Sequence, residues 1–155
     1  MEEKLEKAKD SLIKRLKGFF AGKAGVYGFQ IVLLYGSWAS GFPKKDSDVD
    51  LAILFEDERQ SESSIFDTMS EIALALSKEI RAEVNIIPIY RDFRKPMLYY
   101  NAIVLGTPVY IKDYGKFLTL RNEAIYQMED FGIFGKEWQL IVARKNLLVV
   151  ENARV

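Results

Sequence analysis

The chain has no cysteine and no histidine. Without cysteine, disulfides, thiolate zinc sites and cysteine nucleophiles are excluded. Without histidine there is no imidazole ligand or base, so serine–histidine hydrolases and histidine-ligated metalloenzymes drop out. Any general base must be a carboxylate, a lysine, a tyrosine or water. An excess of one charge is also missing: 22 Lys and Arg balance 22 Asp and Glu. Nothing in the net charge points to nucleic acid or to an anionic membrane, and neither is an expected partner. No stretch reads as a membrane span or a signal peptide, and the start, Met1 to Lys7, is highly charged; the expected location is the cytoplasm. There is no internal repeat, low-complexity tract or long linker.

What is present is enough for a core. Hydrophobic residues make up 49% of 155 positions, which suits one domain over 1–155. Leu5, Ala8, Leu12, Leu16 and Phe19 fall at helical spacing, predicting a helix from Glu2 to about Phe20 that ends at Gly22 and Gly25. Ile31–Tyr35 reads as a buried strand and Asp48–Phe55 as a second. A helix is predicted over Ser61–Ile80, with Ile65, Met69, Ile72, Leu76 and Ile80 as its buried stripe and a serine cap. Ala82–Tyr90 is a third strand. A short helix follows over about Pro96–Leu105, then an edge strand at Pro108–Lys112. Asp113 is a plausible cap for a helix to about Glu129, lined by Phe117, Leu120, Ala124 and Met128. The remainder, from Phe131, is read as helix on the stripe Trp138, Ile141, Val142, Leu148 and Val149, and as a partner or oligomer surface. The sum is a small α/β (α+β) domain with a sheet of three to four strands.

Two short runs carry chemistry. The first strand feeds directly into Gly36-Ser37-Trp38-Ala39-Ser40-Gly41. After ten intervening residues beyond Ser37 the chain reaches Asp48-Val49-Asp50. Side chains two apart on a strand share a face, so Asp48 and Asp50 stand side by side in an otherwise apolar segment, with Val49, Leu51 and Ile53 on the other face. Two like charges held together cost free energy unless a positive group lies between them. Gly36 permits close backbone approach, Ser37 offers a hydroxyl, and the turn exposes N–H groups, a cradle for phosphate oxygens. Mg²⁺ prefers such a setting: one or two carboxylates plus substrate phosphates and water.

Gly36-Ser37-x-Ala39-x-Gly41 followed by Ser47-Asp48-Val49-Asp50-Leu51 resembles the signature of the DNA polymerase β-like nucleotidyltransferases, the minimal (MNT-type) branch in particular. The resemblance covers about residues 28–112 and leaves a helical extension over about 113–155. It implies a palm-like nucleotidyltransferase fold, a small mixed sheet flanked by helices. It implies that Gly36 and Ser37 hold nucleotide phosphates and that Asp48 and Asp50 bind Mg²⁺, as one ion or two. The activity implied is transfer of a nucleoside monophosphate, AMP from ATP, onto a hydroxyl. MNT-type proteins are often paired with a helical HEPN-type toxin, and the implied acceptor is a tyrosine of that partner, with this chain as antitoxin.

The sequence departs from the family pattern at two places. Arginines are common in the family where Trp38 and Ser40 stand here; Lys44 and Lys45 are the loop cations placed to compensate, and Lys44 is a nucleotide-binding candidate. The family usually sets a third carboxylate on the third strand, and the matching position is Asn85. An amide ligates a metal but cannot act as a base. Glu83 lies on the same face by alternation and is the remaining catalytic candidate. Two rival readings follow. One is a weak or inactive module that neutralises its partner by occlusion. The other is transfer to a small molecule or an RNA end, for which 155 residues leave little room for an acceptor domain.

Overall fold

The computed structural model describes residues 1–41, 43–44, 46–56 and 60–153, without the side chains of Ile133 and Phe134. Its elements run α1 (Glu2–Tyr27), β1 (Phe29–Tyr35), α2 (Ser37–Ser40), β2 (Val49–Phe55), α3 (Glu62–Ile80), β3 (Val84–Pro88), α4 (Pro96–Ile103), β4 (Thr107–Ile111) and α5 (Tyr114–Ala153). The four strands form one mixed sheet in the order β3-β2-β1-β4. β1 is antiparallel to both β2 and β4, whereas β2 and β3 are parallel. The expected α/β architecture is the one observed.

Strand alternation sends the sheet's side chains into two cores. Val32, Leu34, Val49, Leu51 and Ile53 meet Leu16 and Phe20 of α1 and Ile72 and Leu76 of α3. Ile31, Leu33, Ala52 and Leu54 face the other way, onto Tyr99, Ala102 and Ile103 of α4 and Phe117, Leu120 and Ala124 of α5. β1 is therefore covered on both sides, which explains its unbroken apolar run. Phe20, Phe29 and Tyr110 stack edge to face across the sheet's β4 side, with ring centroids 5.4 and 5.2 Å apart.

Local chemistry sets most of the ends. Ser61 caps α3, its Oγ accepting from the Ser64 N–H at 3.1 Å. Asp113 does the same for α5, accepting from the Lys116 N–H at 3.2 Å. Two boundaries differ from the sequence reading. α1 continues through Gly22 and Gly25 and stops at Gly28, whose φ of 64° gives the left-handed turn that ends the helix. A mid-helix glycine costs only about 1 kcal/mol, and the packed stripe of α1 outweighs it. α5 is likewise one helix of 40 residues, with no break near Glu129. Among the described residues its last buried side chain is Ala124; Trp138, Ile141, Leu148 and Val149 stand largely exposed.

Gly106 connects α4 to β4 where backbones nearly touch. A Cβ there would lie 2.1 Å from the Ala102 carbonyl oxygen and 2.8 Å from that of Leu34. Neither is a side chain able to swing aside. Gly106→Ala should therefore destabilise the fold by about 3 kcal/mol, read as a lower denaturation midpoint at unchanged slope. A midpoint within error of the parent would show that the connection is loosely packed.

Candidate active site

The site forms where β1 and β2 meet at one end of the sheet. β1 exits at Tyr35, and Tyr35 is the register partner of Asp50 on β2. On the parallel side, Asp50 pairs with Asn85 of β3. Three consecutive strands thus place Tyr35, Asp50 and Asn85 in one row. Asp48 precedes β2, beside Asp50, as alternation requires. Both acids lie on the α4/α5 face of the sheet, near an end that those helices leave open, and are part-exposed.

Gly36 makes this packing possible. Its φ of 75° is open to glycine and strained for other residues. A Cβ on Gly36 would sit 2.3 Å from Asp50 Oδ2. The carboxylate therefore rests directly on the turn's backbone. The first hydrogen bond of the following helix runs from the Ser40 N–H to the Gly36 carbonyl at 3.1 Å. The N–H groups of Ser37 and Trp38 precede it and face outward from the helical ladder. Ser37 is part-exposed at the head of this turn.

Asn85 lies between the acids. Its Nδ2 donates to Asp48 Oδ2 at 3.2 Å and to Asp50 Oδ1 at 3.4 Å. The amide thus supplies the positive pole that two adjacent carboxylates demand. Asp50 is held above its ordinary pKa, first by burial; the Asn85 hydrogen bond opposes this and the Asp48 charge adds to it. Tyr35 is pushed up to about 12, by burial and then by Asp50. The site holds more negative charge than its surroundings stabilise.

These residues fit one magnesium ion. The carboxylates of Asp48 and Asp50 converge on Asn85 Nδ2, burial disfavours the Asp50 charge, and the Asn85 amide offers a carbonyl on rotation. Among the described residues no group of three or more Asp, Glu, His or Cys could hold a metal by itself. Glu83 stands just before β3, one position ahead of the Val49–Val84 pair and so across from Asp48. Its carbonyl accepts from the Val49 N–H at 2.8 Å, and its exposed carboxylate has no partner among the described residues.

Lys44 is exposed, and its backbone closes a turn with Ser47: its N–H donates to Ser47 Oγ at 2.6 Å and its carbonyl accepts from the Ser47 N–H at 3.0 Å. Lys45 lies outside the described residues. Trp38 packs against the α1/α3 core, and its indole N–H donates to the Ser47 carbonyl at 3.3 Å, tying the loop ahead of Asp48 to α2. Lys9 of α1 donates to the Ala39 carbonyl at 2.9 Å and holds α2 from below. Nothing in the sequence could reveal that contact, which spans 30 positions. The role of Tyr35 was open to discovery, since its register opposite Asp50 follows once β1 and β2 are paired.

Two outcomes test this geometry. Gly36→Ala should keep the circular dichroism of the parent and lose Mg–nucleotide binding by calorimetry, because the new methyl displaces Asp50. Unchanged binding would mean Asp50 is not held by the turn. Since the folded environment raises the Asp50 pKa, folding disfavours its charged form; stability is lower above that pKa and recovers as pH falls through it toward the usual carboxylate range. Asp50→Asn should thus raise the melting temperature at pH 7 in chelator, while Mg²⁺ should stabilise the parent and not the variant. A lower melting temperature for the variant would contradict the charge account.

The polymerase beta nucleotidyltransferase family model matches residues 19–115. No curated protein matches the chain significantly. Among crystal structures, a chain of a toxin–antitoxin pair with AMP-PNP is 17% identical, with a TM-score of 0.56 over 74% of this chain and 84% of that one. A chain from the tri-AMPylated Shewanella oneidensis HEPN toxin in complex with MNT antitoxin is 14% identical, with a TM-score of 0.57 over 84% and 95%. A chain from a mutant MntA toxin–antitoxin complex is 15% identical, with a TM-score of 0.58 over 86% and 94%. At such identities the likeness is one of fold. The family match spans everything from the end of α1 to the start of α5, with both acids and the Gly36 turn inside it, and this chain belongs to the polymerase beta nucleotidyltransferase family.

Proposed function

We propose that this chain moves AMP from ATP onto the hydroxyl of a tyrosine in a HEPN-type partner, acting as the antitoxin of the pair. The observation that carries the reading is the convergence of Asp48 and Asp50 beside the Gly36 turn. The fold likeness to toxin–antitoxin chains, one pair holding AMP-PNP and one holding an AMPylated HEPN toxin, supports the choice of nucleotide and partner.

In this reading the turn at Gly36 and Ser37 holds the β- and γ-phosphates through backbone N–H groups and the Ser37 hydroxyl, with Lys44 as a nearby cation. Asp48 and Asp50 would hold Mg²⁺, which when bound neutralises phosphate charge. The acceptor oxygen bonds to the α-phosphorus, the bond from that phosphorus to the bridging oxygen of the β-phosphate breaks, and pyrophosphate leaves. The hydroxyl proton goes to a carboxylate, for which Glu83 is the candidate beyond the two metal ligands. Asn85 cannot take it. The chain is one nucleotidyltransferase domain extended by α5, whose exposed apolar half supplies surface for the partner protein or a second copy. Among the described residues no helix is long and apolar enough to cross a membrane.

Asn85 also favours a second reading. Its amide already bridges the acids, as it would in a module that neutralises its partner by occlusion alone. Incubation with labelled ATP, Mg²⁺ and a HEPN-type partner protein separates the two. Label should appear on the partner and vanish when Asp48→Asn and Asp50→Asn are combined. No transfer, with partner binding that survives the double change, would establish the occlusion reading instead.

A further inference from the structure

We propose that the hollow between α2 and α4 is the nucleoside pocket of this site and that Asn101 selects adenine. The proposal rests on the nucleotidyltransferase reading and adds to it the place of the base and the residue that selects it. The hollow measures about 360 Å³ and is walled by Tyr35 and Gly36, by Ala39 and Ser40 of α2, and by Leu98, Asn101 and Leu105. Gly36 belongs both to this wall and to the phosphate turn. A nucleotide whose phosphates lie on Gly36 and Ser37 can reach this opening with its nucleoside.

The chemistry of the lining suits a base. Most of it is apolar, and Leu105 leaves 61% of its surface bare at the rim. Small-ligand pockets are typically of this kind, apolar with a few placed polar groups. The polar groups here are free to serve. The Tyr35 hydroxyl and the Asn101 amide make no hydrogen bond among the described residues, whereas the Ser40 hydroxyl is occupied by the Ser37 carbonyl at 3.2 Å. A carboxamide presents a donor and an acceptor side by side. Adenine answers with N7 and N6–H, an acceptor beside a donor, whereas guanine offers two acceptors on the same edge.

Two other concavities are poorer rivals. One beside the far end of α2, lined by Glu2, Glu6 and Lys9, does not reach Gly36 or the acids. Another lies by Leu54, Phe55 and Ile89, at the opposite end of β2.

Calorimetry on the full chain with Mg²⁺ tests the proposal, using the non-hydrolysable α,β-methylene analogues of ATP and GTP and inorganic tripolyphosphate. The parent should bind the ATP analogue roughly tenfold more tightly than the other two, the discrimination one bidentate amide supplies. Asn101→Leu, an exposed position that should leave melting unchanged, should bring the ATP analogue to the level of the GTP analogue and leave tripolyphosphate binding as it was. If Asn101→Leu keeps the full preference for ATP, the pocket assignment fails while the transferase reading stands. If it binds ATP normally but loses transfer to the partner, the hollow serves the acceptor and the proposal fails. If the parent binds none of the three, the transferase reading fails with it.

Discussion

The contact between Asp50 and the backbone of Gly36 governs the rest of the site. A carboxylate can approach a chain turn this closely only where there is no Cβ, and only where the turn accepts a positive φ. That contact fixes where the acid points relative to the N–H groups that follow it. It links the turn that follows β1 to the acid on β2 in one unit. Asn85, one strand further on, completes the row and offsets part of the charge.

The sheet is the apparatus that makes such a unit rigid. β1 is buried on both faces and paired on both edges as far as Leu34, and its pairing with β2 continues to Tyr35, so the strand delivers Gly36 to the site from a fixed position. α1 and α3 pack one face along its length, and Lys9 reaches from α1 to brace α2. On the other face, α4 and α5 cover the middle of the sheet and leave the acids open to solvent. Stability is thereby spent where function requires it: two like charges and a part-buried tyrosine sit at the one end the helices leave bare.

Much of this was legible in the sequence because it depends on local pattern. Apolar pattern located the four strands and the longer helices, and the spacing of Gly36-Ser37 and Asp48-Val49-Asp50 put the turn and the acids in one site. Three features were not legible, for different reasons. The end of α1 was misread because Gly22 and Gly25 look like stops, and a glycine's cost in a helix is small beside long-range packing; the stretch to about Glu129 and the remainder from Phe131 are one helix, α5. The Lys9–Ala39 contact depends on how α1 crosses the sheet. The amide bridge of Asn85 depends on the parallel register of β2 and β3, which one sequence does not print. The sequence flagged Asn85 as an absence, a missing carboxylate; in the fold its amide is a presence, a donor to both acids.

The central claim is that Asp48, Asp50 and the Gly36 turn form one Mg–nucleotide site. A crystal structure of the chain soaked with Mn²⁺ and a non-hydrolysable ATP analogue tests it most directly, because manganese reports its own position by anomalous scattering. The account predicts an anomalous peak between Asp48 and Asp50, with phosphate density on the N–H groups of Ser37 and Trp38. Nucleotide bound elsewhere, or a peak that does not touch both acids, would contradict it.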